Sequence, residues 1–201
     1  MLLTQSPYQA TNFIGFNIEE VEGSHDTSSL NEENAESRYQ GFMVRLWELN
    51  KIAKGIIKIR EFERVCNLIY TGRKLKKSDL TTPFSIINID NQGNFSTFSP
   101  ELLSMKDDTY GDMILGNVLT DSFESICSTE KFHRLYGDIL GGHQLCEKTC
   151  QYFSVCAGGA PSNKYWENQS FNSGETLFCR LSKKIITDIV LKDLEASLGL
   201  R

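Results

Sequence analysis

Apolar residues recur along this 201-residue chain in two rhythms. Tyr39, Phe42, Met43, Leu46, Trp47 and Leu49 return every three or four positions, the period of one helix face. That spacing predicts a helix over 36–54 with its inner face on those six residues and a stop at Gly55. Phe62, Val65, Cys66 and Ile69 repeat the pattern over 59–70, halted at Gly72, and place Cys66 as a buried thiol on an apolar face. Leu181, Ile185, Ile189 and Leu194 predict an amphipathic terminal helix over 181–198, closed by Gly199. The other rhythm is extended. Residues 84–90 and 95–98 flank Asn91-Gln92-Gly93-Asn94 and read as a β-hairpin. Residues 12–18 read as a short strand ending at Glu19-Glu20, and the glycine-spaced 110–119 as strand plus turn. Asp121-Ser122-Phe123-Glu124 has capping-box spacing and opens a short helix through Cys127, followed by another over 129–140. The polar stretch 21–34 is a surface loop.

These elements divide into two regions. Residues 1–83 give strand, loop, helix, helix, the rhythm of an α/β barrel or layered sheet. Residues 84–201 give a hairpin, small helices and most of the cysteines, so the class is α/β to α+β. The first region is too short for a closed (β/α)8 barrel, which takes about 250 residues. An apolar fraction of 40% and a charged fraction of 23% are those of a soluble globular protein. A net charge of −5 argues against a nucleic-acid partner, and the basic run 73–77 reads as a solvated loop. No run of apolar residues is long enough to span a membrane. Residues 1–7 lack the charged start and apolar stretch of a signal peptide, so the expected compartment is the reducing cytoplasm. Ser24-His25-Asp26 is no catalytic triad, because triad members come from separate segments and three consecutive side chains cannot form the relay.

The concentrated chemistry lies in the cysteines. Cys146, Cys150, Cys156 and Cys179 follow a C-x3-C-x5-C-x22-C spacing. Four thiolates form a soft ligand set suited to an iron–sulfur cluster or to zinc. Disulfides and metal-free buried thiols are the other readings. Zinc sites favour paired C-x2-C knuckles, whereas the longer, uneven gaps suit a cubane with well-separated corners. Gly158 and Gly159 follow the third cysteine and allow the backbone to approach a cluster and aim N–H groups at sulfur.

With these segments laid out, the chain resembles the C-terminal half of a radical S-adenosylmethionine enzyme carrying a SPASM auxiliary-cluster domain. Within that branch it resembles the cyclophane-forming peptide maturases of the GrrM/OscB type. The resemblance is carried by residues 15–20, 93–103, 110–112 and 115–118, by the Cys-x-x-x-Cys-Gln-Tyr-Phe-x-x-Cys-x-Gly-Gly segment from Cys146 to Gly159, and by Cys179-Arg180. It implies a partial (β/α) barrel remnant over 1–83 and a SPASM-like iron–sulfur domain over 84–201. It also implies that Cys146, Cys150, Cys156 and Cys179 hold one auxiliary [4Fe–4S] cluster. The three cysteines expected for a second cluster are replaced by the Ser96-Thr97-Phe98 run, by Asp121 and by Ala160. Cys127 is left as a small-helix thiol.

The C-x3-C-x2-C triplet that binds the family's catalytic [4Fe–4S] cluster does not occur in this sequence. The expectation is that it lies upstream of Met1, and that this chain is a truncated member, a split-gene product or a fragment. In the intact enzyme, the resemblance implies reductive cleavage of S-adenosylmethionine to a 5′-deoxyadenosyl radical. That radical abstracts hydrogen from a ribosomally made, glycine-rich precursor peptide, and a carbon–carbon crosslink to an aromatic ring follows. Glu19 and Glu20 follow a barrel strand and are candidates for touching cofactor or peptide; a solvated loop is the alternative. The expected partners are the precursor peptide and an N-terminal radical S-adenosylmethionine half. The rival functions are a non-enzymatic iron–sulfur adaptor completing a separately encoded barrel half, and a zinc-stabilised structural domain.

Overall fold

The computed structural model of the chain describes residues 12–22, 27–54, 56–103 and 105–200. The predicted stop at Gly55, the Ser24-His25-Asp26 triplet and residues 1–7 lie outside them. Strand β1 (Phe13–Ile14) pairs in parallel with β2 (Lys58–Ile59). The strand expected over 12–18 is cut to this length because side chains then take over its backbone groups. Phe16 N–H donates to Glu61 Oε1 at 3.1 Å, and Phe16 C=O accepts from Arg60 Nη2 at 2.6 Å.

Helix α1 (Ala35–Ile52) presents a narrower inner stripe than expected. Met43 is fully buried and Tyr39, Leu46 and Trp47 pack beside it, but Phe42 and Leu49 are 51% and 46% exposed. Phe42 sits at the edge of the contact, edge-on to Phe16 at 5.7 Å. Helix α2 (Arg60–Thr71) forms where its periodicity placed it and ends at Gly72, whose φ of 63° suits a residue without Cβ. Phe62 and Val65 are buried, and half-buried Cys66 packs against them.

The second part of the chain is built around an antiparallel sheet, β3 (Ile87–Ile89), β4 (Asn94–Thr97) and, beyond a short pair β5 (Lys106–Asp107) and β6 (Gly111–Asp112), β7 (Gly116–Asn117). The hairpin turn is closed by Asp90, whose Oδ1 accepts from Gln92 N–H at 2.8 Å and Asn94 N–H at 2.9 Å. The Asn94 amide, with these N–H groups, holds the Asp90 carboxyl below its ordinary value. A depressed carboxyl stabilises the fold above its unfolded pKa and loses that contribution as pH falls through the lower folded value. Asp90→Asn should therefore lower Tm at neutral pH, and the gap to the native chain should narrow as pH falls below the ordinary carboxylate value of about 4. A gap that stays constant in a pH series of thermal melts would contradict this.

Helix α3 (Phe123–Cys127) is capped differently from the expected Asp121–Glu124 box. Ser122 and Ser125 cap each other at 3.1 and 3.2 Å, while Asp121 accepts from Asn117 N–H at 2.8 Å. Helix α4 (Glu130–Thr149) runs well past the expected end at Leu140. Gly141-Gly142 is not a stop but a site of close packing, since a Cβ on Gly142 would lie 2.2 Å from the Phe171 carbonyl. Two short helices follow, α5 (Phe153–Cys156) and α6 (Pro161–Asn168). The sheet and α4 close over Phe95, Phe98, Leu102, Met113, Leu135, Ile139 and Phe171, all almost fully buried.

The terminal helix starts earlier than expected, as α7 (Leu177–Cys179). It passes through a π-helical turn (Arg180–Ile185) and continues as α8 (Ile186–Ser197). Leu181, Ile185 and Ile189 are buried as its stripe predicted, whereas Leu194 is half-buried. Here the chain returns to α1 and α2, so the two cores do not follow chain order. The fold mixes helices with small sheets. Among the described residues β1–β2 is the parallel pairing present, and no described helix is long and apolar enough to cross a membrane.

Candidate metal centre

Each of the four cysteines singled out by spacing sits at the end of a helix. Cys146 is buried in the last turn of α4, and Cys150 caps that helix by donating its N–H to the Cys146 carbonyl at 2.9 Å. Cys156 is the last residue of α5. Beyond it Ala157, Gly158 and Gly159 all have positive φ, 55°, 94° and 75°, which turns the chain back sharply. Two glycines in three positions make that run affordable, and a Cβ on Gly158 would stand 2.9 Å from His143 Nδ1. Cys179 lies in the first turn of α7, where Thr176 Oγ1 accepts its N–H at 3.0 Å. The Glu167 carboxylate accepts the N–H groups of Leu177 and Phe178, so the helix start is fixed twice.

All four side chains line one cavity of about 440 Å³, together with Gly158, Gly159, Asn163, Lys164, Lys183 and Lys184. All six cysteines of the chain are free thiols. Among the described residues no three His, Cys, Asp or Glu side chains converge closely enough to hold a single metal ion. The four thiols share one cavity lining, and as thiolates they form a soft ligand set suited to an iron–sulfur cluster or to zinc.

Lys164, Lys183 and Lys184 line the cavity beside the thiols, while burial works against charge on the sulfurs themselves. Burial raises the Cys156 thiol, opposed by a hydrogen bond from the Gly158 backbone, and burial followed by Cys156 and Cys150 pushes Cys179 up to about 12. These thiols keep their protons until a metal displaces them, so metal loading should release acid. Burial lowers Lys183, as does Arg64, while Cys156 and Cys179 pull the other way. Lys184 is paired with Glu175.

The other candidates fall elsewhere. Glu19 is engaged in the local turn, its Oε2 accepting from Ser29 N–H at 3.1 Å. Glu20 reaches 143 residues along the chain, accepting from Asn163 Nδ2 at 2.5 Å; burial raises its carboxyl and the Asn163 bond opposes this. Asn163 lines the thiol cavity, so Glu20 is one contact away from it. Cys66 and Cys127 pack against the two apolar cores and do not line the cavity. Of the positions where further cysteines were expected, Ser96, Thr97 and Phe98 are buried in the hairpin. There Thr97 Oγ1 accepts from Phe84 N–H at 2.7 Å and donates to the Ile86 carbonyl at 2.9 Å. Ala160 caps α6 and lines the cavity. Lys164, Lys183 and Thr176 were not foreseen. Lys183 had a signal, being one turn along from Cys179. Lys164 had none, because it depends on α6 folding back on α4.

No family model matches the chain. It is 53% identical over 187 residues to an uncharacterized protein, sll1766, of Synechocystis sp., covering 93% of this chain and 47% of that protein. The chain thus spans about half the length of the curated relative it matches. Among solved structures it superposes on anSMEcpe, a radical S-adenosylmethionine/SPASM-domain sulfatase maturase, with bound AdoMet. That match has a TM-score of 0.56 and 18% identity over 92% of this chain and 45% of the other. A second structure, of anSMEcpe with bound AdoMet and the Cp18Cys peptide, also gives 0.56, at 16% identity over 92% and 48%. The chain shares the fold of the matched part of anSMEcpe. At these identities the likeness is one of fold.

Proposed function

We propose that this chain is the auxiliary-cluster-bearing portion of a radical S-adenosylmethionine peptide maturase, with Cys146, Cys150, Cys156 and Cys179 holding one [4Fe–4S] cluster. The observation that carries the reading is that these four thiols, from α4, its cap, α5 and α7, line a single cavity in a fold related to such maturases. Bound there, a cluster with four thiolate ligands supplies one-electron transfer without an open iron for substrate. The chain's own residues do the rest. Gly158 directs a backbone N–H at Cys156, Thr176 and Glu167 fix the start of α7 and so Cys179, and the lysines set a positive wall.

In its finer form the reading makes the whole enzyme a cyclophane-forming maturase that crosslinks a ribosomally made glycine-rich peptide in the cytoplasm. S-adenosylmethionine and the catalytic cluster would be supplied by a radical S-adenosylmethionine half. Because C-x3-C-x2-C is missing from this sequence, the chain alone is expected to bind iron and sulfide but not to cleave S-adenosylmethionine. The test is anaerobic isolation of the chain, metal and sulfide analysis, and incubation with S-adenosylmethionine and a strong reductant. Brown protein with iron and sulfide and no 5′-deoxyadenosine is the expected result. Colourless zinc protein, or 5′-deoxyadenosine formed by the chain alone, would overturn it.

A further inference from the structure

We propose that Lys164 is a built-in counter-cation for the group the four thiols hold, and that its ammonium raises the reduction potential of a cluster bound there by donating to the Cys146 sulfur. This rests on the iron–sulfur reading above. Lys164 is only 4% exposed. Its Nζ donates to the Gly142 carbonyl at 2.6 Å and to Cys146 Sγ at 3.4 Å. Among the described residues no carboxylate lies within 4.0 Å of it. A buried ammonium whose protein partners are one neutral carbonyl and one thiol lacks the anion that normally compensates its desolvation. The cavity it lines is where four thiolates and their metals would bring negative charge. Neighbouring Lys184 differs, since Glu175 already balances it.

The position is built rather than incidental. Gly142 and Cys146 are one helical turn apart on α4, and the ammonium bridges them. A Cβ at Gly142 would stand 3.1 Å from Nζ, so the bare glycine keeps that approach open. The sign of the effect follows from charge. A reduced cluster is one electron more negative than an oxidised one, so a fixed cation and an N–H···S hydrogen bond favour the reduced form more. Lys164 is on this account a positioning and tuning residue.

The test is an EPR-monitored redox titration of the anaerobically loaded native chain, Lys164→Met and Lys164→Arg. In Lys164→Met the reduction equilibrium should move at least tenfold toward the oxidised form, about 59 mV lower for a one-electron couple. Lys164→Arg, which keeps the charge, should retain most of the native potential. A loaded Lys164→Met with the native potential overturns the inference and leaves the iron–sulfur reading standing; a native chain that takes up no iron overturns both. If Lys164→Met fails to hold a cluster, pulsed EPR on 15N-lysine-labelled protein decides. A lysine nitrogen coupling present in the native chain and lost in Lys164→Arg supports the bond to sulfur. A coupling absent from the native chain, or unchanged in Lys164→Arg, overturns it.

Discussion

Cys179→Ala should cost the protein its four-iron form. Three of the proposed ligands lie within residues 146–156 at the end of α4 and in α5, while Cys179 comes from the later return of the chain into α7. It is therefore the ligand that ties the terminal helix to the centre. Without it, anaerobically loaded protein should contain less than half the native iron. Hydrogen exchange over 140–180 should then rise first, because metal binding and local folding are one equilibrium there. Cys66→Ala and Cys127→Ala are the controls, since both thiols pack into apolar cores away from the cavity and should leave iron content unchanged. A Cys179→Ala protein with its full iron complement would remove Cys179 from the ligand set.

Phe62→Ala should lower the unfolding free energy by about 3–5 kcal/mol, the usual cost of deleting a fully buried aromatic ring. Phe62 is 1% exposed and packs against Trp47 with centroids 4.7 Å apart. It sits where α1, α2 and α8 meet, beside Leu181 and Ile186. For a chain of this size that corresponds to a drop in Tm of roughly 10 °C. The effect should reach the metal centre, because α7 and α8 form one continuous rod and a loosened α8 frees the turn that carries Cys179. Chemical denaturation with iron release as a second probe measures both. A loss under about 1 kcal/mol would contradict the burial argument, and unchanged iron release would mean that this core and the metal centre are uncoupled.

The helices α2 and α8 and the β3–β4 hairpin were legible because their patterns are local: an apolar stripe with a glycine stop, or two extended runs around a turn. The inner face of α1 was only half legible. A stripe records which side is apolar, not how wide the neighbouring surface is, so Phe42 and Leu49 were assigned inward and lie outside. Helix α4 was expected to end at Leu140 and instead runs on through Gly141-Gly142 to Thr149. Gly142 admits the backbone at Phe171, a contact made across 29 residues of sequence that no local window contains. The four cysteines were legible from spacing and family resemblance, and the structure brings them to one cavity. The lysines around them were not. A buried Lys164 is visible only once α6 lies against α4, and in the sequence it is one more charged residue.

X-ray absorption spectroscopy at the iron edge of the anaerobically isolated chain tests the central claim most directly. The account predicts an iron–sulfur shell together with a short iron–iron shell, both lost when Cys146, Cys150, Cys156 and Cys179 are replaced. A zinc edge with sulfur neighbours at about 2.3 Å and no metal–metal shell, or no bound metal, would contradict it.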